Sequence, residues 1–152
     1  KILVPDIHLR NATDSDENLL FKWRNINELV ALSSYQNKVT LDEHKKWFRN
    51  KLKRSNCELF IIQLNDQDIG LIRIDIRQKD CEVTIYLIPG NEGMGFGYKS
   101  LSQALKSIKT KCSTFIAKVQ VKNIPSQKLF IKLDFKEISR GSKIILYQKI
   151  TT

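Results

Sequence analysis

Cysteine is scarce. Cys57, Cys81 and Cys112 stand far apart in 152 residues. An odd number at such spacing reads as no disulfide framework, and no two sit as close as a zinc knuckle requires. A reducing, cytoplasmic setting is the simplest expectation. His8 and His44 are the only histidines and add no ligand spacing, so no metal is expected. Long hydrophobic runs are missing too. A run such as residues 59–62 is far too short to span a bilayer, so no membrane partner is expected. No charged start followed by an apolar stretch and a small-residue site marks a secretory signal. No repeat, low-complexity stretch or Pro/Gly/Ser linker divides the chain, so residues 1–152 are read as one domain. The first residue is Lys1 rather than Met, which reads as trimming or as a cut from a longer protein.

What is abundant is positive charge. Lys and Arg total 26 against 16 Asp and Glu, a formal net charge of +10. That excess suits nucleic acid, an anionic membrane, or a small polyanion such as a nucleotide cofactor. A solvated Lys-rich surface fits as well, since acids are interspersed, as in residues 42–46. No aromatic RNA-binding strand motif or zinc finger is present, which disfavours nucleic acid. Hydrophobic residues make up 41%, enough for a core and too many for a disordered basic tail.

The pattern alternates between the two periods of regular structure. Residues 7–10 read as a short strand. Thr13 or Asp14 offers a cap before a helix carrying Leu19, Leu20 and Trp23. Thr40-Leu-Asp-Glu43 is a capping box opening a helix over 41–53. Residues 58–64, 69–76 and 81–88 read as an antiparallel meander, with a tight turn at Asn65–Asp68. A Gly-rich loop leads into a helix over 98–109, followed by a strand over 114–121. A helix then opens near Pro125, and a hairpin of 135–138 and 143–149 closes the chain.

A strand, then Gly93-x-Gly95-x-Gly97, then a helix is a phosphate-binding arrangement, because helical N–H groups point at whatever lies on the loop. A P-loop needs Gly directly before Lys-Ser, but Tyr98 stands there. A dinucleotide fingerprint needs a further Gly and an acid on the next strand, and both are missing. Glu92-Gly-Met-Gly95-Phe-Gly97, three residues after Pro89, resembles the pyrophosphate loop of the GNAT N-acetyltransferase superfamily. Asn123-Ile-Pro-Ser126-Gln-Lys-Leu129-Phe130, ending at Asp134-Phe135, is similar to the family's last-helix motif. The resemblance covers essentially the whole chain. It implies an α/β (α+β) fold with a mixed, mostly antiparallel sheet of six to seven strands flanked by helices.

By that resemblance acetyl-CoA is the co-substrate. The backbone of Ile85, Tyr86 and Leu87 is expected along its pantetheine arm. The loop Glu92, Gly93, Met94, Gly95, Phe96 and Gly97 is expected at the pyrophosphate, with Asn123, Ser126 and Phe130 on the last helix of the same site. Two residues depart from the family. Glu92 replaces Gln or Arg, so its carboxylate is expected to point away from the phosphates. Phe130 replaces the Tyr that protonates the departing thiolate, and phenylalanine has no proton to give. Tyr98, another hydroxyl, water, or a dispensable acid are the options left; Phe130 itself reads first as a core aromatic.

The acceptor side resembles UDP-4-amino-sugar N-acetyltransferases of the pseudaminic acid pathway. Lys22-Trp23-Arg24-Asn25, Glu43-His44 and Cys81-Glu82-Val-Thr-Ile-Tyr86 carry that likeness. Ribosomal-protein N-acetyltransferases share part of it. The implied reaction is direct attack of a neutral amine on the thioester, with His44 and Glu82 as candidate bases. Each has a structural alternative: a packed helix residue for His44, and an ion-paired strand residue for Glu82. Trp23, Arg24, Asn25 and His44 are the candidate acceptor-binding residues. Arg24 suits a nucleotide diphosphate or a nearby acid equally, and the tryptophans read as core first. A nucleotide-linked amino sugar is the expected small-molecule partner, nucleic acid and membrane are not expected, and a homodimer is left open. A CoA-binding module without catalysis is the third reading, motivated by Phe130.

Overall fold

The computed structural model describes residues 5–33 and 37–151. Seven strands form one sheet: β1 (Ile7–Asn11), β2 (Cys57–Leu64), β3 (Gln67–Arg77), β4 (Asp80–Leu87), β5 (Thr114–Gln120), β6 (Lys136–Arg140) and β7 (Ile144–Ile150). Their spatial order is β1-β2-β3-β4-β5-β7-β6. Every neighbouring pair is antiparallel except β4 and β5, which are parallel. The helices are α1 (Glu17–Arg24), α2 (Asn27–Leu32), α3 (Leu41–Lys53), α4 (Phe96–Ile108) and α5 (Ile124–Lys132). This is the mixed, mostly antiparallel sheet with flanking helices that the resemblance implies.

Local chemistry explains most boundaries. Asn65 and Asp66 make the β2–β3 turn with φ of 49° and 72°, a region these two residue types tolerate better than most. At α3 the Glu43 amide donates to Thr40 Oγ1 at 3.2 Å, and the Thr40 amide donates to Glu43 Oε1 at 3.0 Å. Helix α2 was not expected from the sequence. It is six residues long and buries none of them, too short for a helical period to repeat in the sequence.

Strand alternation divides the core into two layers. Leu59, Ile61 and Leu71 face α1 and α3, meeting Leu20, Trp23 and Phe48. Ile72, Ile74, Cys81 and Val83 face α4 and α5, meeting Leu101, Ala104, Ile108 and Phe130.

The parallel β4–β5 pairing is short. It comprises Asp80↔Thr114, Cys81↔Phe115 and Glu82↔Ile116. Beyond it β4 stays with β3 as far as Leu87, and β5 stays with β7 as far as Gln120. The two strands therefore part after Glu82, and residues 83–87 of β4 have no β5 partner.

The expectation of unpaired cysteines is corrected. Cys81 and Cys112 form a disulfide, with Cα atoms 5.9 Å apart. The β4–α4–β5 crossover brings together residues separated by 31 positions, a closure that spacing alone does not show. Cys57 alone is free, and it is buried. No helix among the described residues is long and apolar enough to cross a membrane. Among them no group of three or more His, Cys, Asp or Glu is placed to hold a metal.

Candidate functional site

The parting of β4 and β5 opens between two differently built regions. On the α4 side lies the glycine loop. Gly93 and Gly95 have φ of 77° and 80°, and a Cβ on either would meet nothing within 4 Å. Backbone conformation therefore demands glycine there, while the space around the loop is left open. The first turn of α4 adds donors. The amides of Gly95, Phe96, Gly97 and Tyr98 donate to no acceptor among the described residues. Gly97 is different: a Cβ there would lie 3.4 Å from Leu129, so it lets α4 approach α5. An open loop with unpaired amides at a helix N-terminus fits the pyrophosphate of acetyl-CoA.

Glu92 turns away from that cradle. Both of its carboxylate oxygens accept from the Gly90 amide, at 3.2 and 3.0 Å. Asn123 caps α5, its Oδ1 accepting from the Ser126 amide at 3.3 Å. Met94 is largely exposed at the loop tip. Ile85 and Leu87 pack against the α4-side core, and Tyr86 points to the opposite face.

On the α1–α3 side the polar residues of β3 and β4 share one face. Arg73 pairs with Thr84, Asp75 with Glu82, and Leu71 with Tyr86. The Arg24 guanidinium lies 4.4 Å from the Trp47 ring centroid, and the Arg73 guanidinium 5.6 Å from the same ring. Arg24 Nη1 donates to His44 Nδ1 at 3.1 Å. Lys51 Nζ donates to Asp75 Oδ1 at 2.7 Å. Arg73 Nε lies 3.0 Å from Asp75 Oδ2, without the alignment of a hydrogen bond. The buried Tyr86 hydroxyl has no hydrogen-bond partner.

The electrostatics follow from that crowding. Burial, joined by the repulsion of Arg73, lowers the Arg24 pKa. Burial works to raise Asp75, but the Lys51 hydrogen bond and the charge of Arg73 outweigh it and hold the carboxyl low. Burial raises the Tyr86 hydroxyl, against the opposing pull of Arg24 and Arg73. Burial and Asp75 push the Cys57 thiol up to about 12, so it stays protonated and is no nucleophile.

Several sequence expectations change position. His44 has no surface exposure and stacks on Phe48, with ring centroids 5.7 Å apart. Its Nε2 lies 2.8 Å from the Glu17 carbonyl, so both ring nitrogens are engaged and neither is open to an acceptor amine. Asn25 is also consumed: its amide group both accepts from and donates to the Val39 backbone, at 2.8 and 2.9 Å. Trp23 is buried edge-on against Tyr86 and offers no ring face to a ligand. Phe130 lies in the core between Phe135 and Tyr147, away from solvent. Tyr98 sits at the surface with Lys132 Nζ 4.4 Å from its ring. Glu82 stands where β4 and β5 part, its Oε1 3.7 Å from both Arg77 and Lys118.

Arg73 was missed in the sequence reading. Its signal was there: Arg73 and Asp75 are charged residues two apart in an otherwise apolar run, both on one face of a central strand.

The family model described as Acetyltransferase (GNAT) domain matches residues 6–136. The curated protein Acetyltransferase PseH of Campylobacter jejuni is 33% identical over 93 residues. That match spans 59% of this chain and 59% of the relative's own length. Among solved structures, a domain from Methanocaldococcus jannaschii superposes with a TM-score of 0.87 at 26% identity, covering 97% of this chain and 99% of that one. A Vibrio cholerae spermidine N-acetyltransferase, solved with CoA and spermine, has a TM-score of 0.83 at 16% identity and covers 95% of each chain.

Proposed function

This chain belongs to the GNAT acetyltransferase family, and from that premise we propose that it moves an acetyl group from acetyl-CoA to the amino group of a nucleotide-linked amino sugar. The carrying observation is the parting of β4 and β5 after Glu82, which opens one strand edge to both the glycine loop and the Arg24–Arg73 face. Acetyl-CoA supplies an activated thioester carbonyl. The amides at the start of α4 hold its diphosphate, and the free edge of 83–87 lines its arm. Glu82, on the acceptor face, takes the proton of the amine directly or through water. The Cys81–Cys112 bond removes the cysteine argument for a reducing setting, so a cytoplasmic setting rests on the acetyl-CoA donor alone. The amino-sugar acceptor is supported by the Lys22–Asn25 and Cys81–Tyr86 likeness together with the match to PseH.

The test is an acetylation screen with acetyl-CoA against UDP-amino sugars, a ribosomal N-terminal peptide and spermidine. Acetylation of the UDP-amino sugar in preference to the others is expected. Preference for the peptide or the polyamine overturns the acceptor. A melting shift with CoA but no acetylated amine favours the CoA-binding module that Phe130 motivates.

A further inference from the structure

We propose that Arg24 and Arg73, gathered at Trp47, form a two-guanidinium subsite for the diphosphate of the acceptor, with His44 as the residue that positions Arg24. The proposal rests on the acceptor reading above and deepens it.

Charge balance is the first reason. Lys51, Arg73 and Arg24 crowd one face of β3 and β4; of the two carboxylates on that face, Asp75 lies among them and Glu82 stands toward Arg77 and Lys118. Asp75 is shared between Lys51 and Arg73. No carboxylate lies within ion-pair distance of Arg24 among the described residues; its polar partner is a neutral imidazole nitrogen. Glu43, the acid nearest in sequence to His44, is folded back onto the Thr40 amide as a helix cap, and its charge acts on Arg24 less than burial and Arg73 do. Like charges brought together at a half-buried surface repel, and an oxyanion that accepts from both guanidiniums relieves that cost.

Placement is the second reason. Arg73 lies opposite Thr84 on β4, two residues from the Tyr86 pair on the same face. The subsite therefore borders the strand edge that the acetyl donor is expected to line. The unpartnered Tyr86 hydroxyl can donate to the same oxyanion or to the sugar next to it.

His44 supplies the geometry. The Glu17 carbonyl can only accept, so Nε2 carries the proton and Nδ1 keeps its lone pair for Arg24. Phe21, Trp47 and Phe48 pack around the ring and fix its plane. Arg24 is thereby aimed rather than free to sweep, which lowers the entropy lost on binding.

The experiment measures UDP binding to the whole chain by calorimetry, independent of turnover. Unmutated protein is expected to bind UDP, inorganic pyrophosphate to compete with it, and uridine to bind about tenfold more weakly or worse. Arg73→Gln and Arg24→Gln should each weaken UDP by about tenfold or more, while the melting shift produced by CoA persists and reports an intact fold. His44→Ala should raise the KM for the acceptor more than it lowers kcat, and His44→Gln, which can still donate and accept, should recover part of the loss. UDP affinity unchanged within about twofold in both arginine variants, or no competition by pyrophosphate, overturns the subsite. UDP binding without acetylation of any UDP-amino sugar leaves the subsite standing and sinks only the acceptor reading.

Discussion

His44 is buried with both of its ring nitrogens engaged. Burial disfavours its charged form and lowers its pKa from the ordinary 6.5; the Glu17 carbonyl opposes this and the charge of Arg24 adds to it. Protonation would place a second hydrogen at Nδ1, directly against the Arg24 donors. The folded chain therefore resists a proton that the unfolded chain accepts. Below a pH of about 6.5 the unfolded state binds more protons, so stability falls as pH falls; above that value the contribution is constant. Melting temperature should drop from about pH 7 to about pH 5 more steeply in the native chain than in His44→Gln. Equal slopes in the two proteins would remove His44 as the cause.

At the scale of elements, the crossover from β4 through α4 to β5 carries the proposed site, and the Cys81–Cys112 bond pins its closed end. The bond ties Cys81, in the paired stretch of β4, to Cys112, two residues before β5 begins. Closing a loop of 31 residues restrains the unfolded chain, worth about 3–4 kcal/mol on a chain-entropy account. Full reduction, or Cys112→Ala, should lower the melting temperature by about 10 °C. A change of less than about 2 °C would show that the packing of α4 alone holds the strands together.

The same element shows what a sequence makes legible. The glycine loop and the Asn123–Phe135 motif are local signals, and the family resemblance they carry implies the fold class. The disulfide, the engagement of His44 and the Arg24–Arg73 approach depend on residues 20 to 50 positions apart meeting in space, as with Arg24 and Arg73 on α1 and β3. No local period encodes such a meeting. Asn25 misled for a related reason: the residue types that bind sugars and nucleotides also clamp loops, whereas Trp23 lies in the core, the reading its helical spacing favours.

For the whole molecule the net charge of +10 is the remaining handle. The proposed reaction brings together two phosphate-bearing substrates, so the positive field should act on both encounters. Screening shortens that field from about 10 Å at 0.1 M salt to about 3 Å at 1 M. Short-range contacts in the bound complex are screened much less, so the loss should fall on association. The kcat/KM for acetyl-CoA should decline markedly as sodium chloride rises over that range, with kcat changing little. S-acetyl pantetheine carries the same thioester without the phosphates and provides the control. Its kcat/KM should be nearly independent of salt. If both donors lose activity in parallel, the +10 charge is a solvated surface with no part in steering; if only acetyl-CoA does, the charge works on the phosphates proposed to lie on the α4 amides.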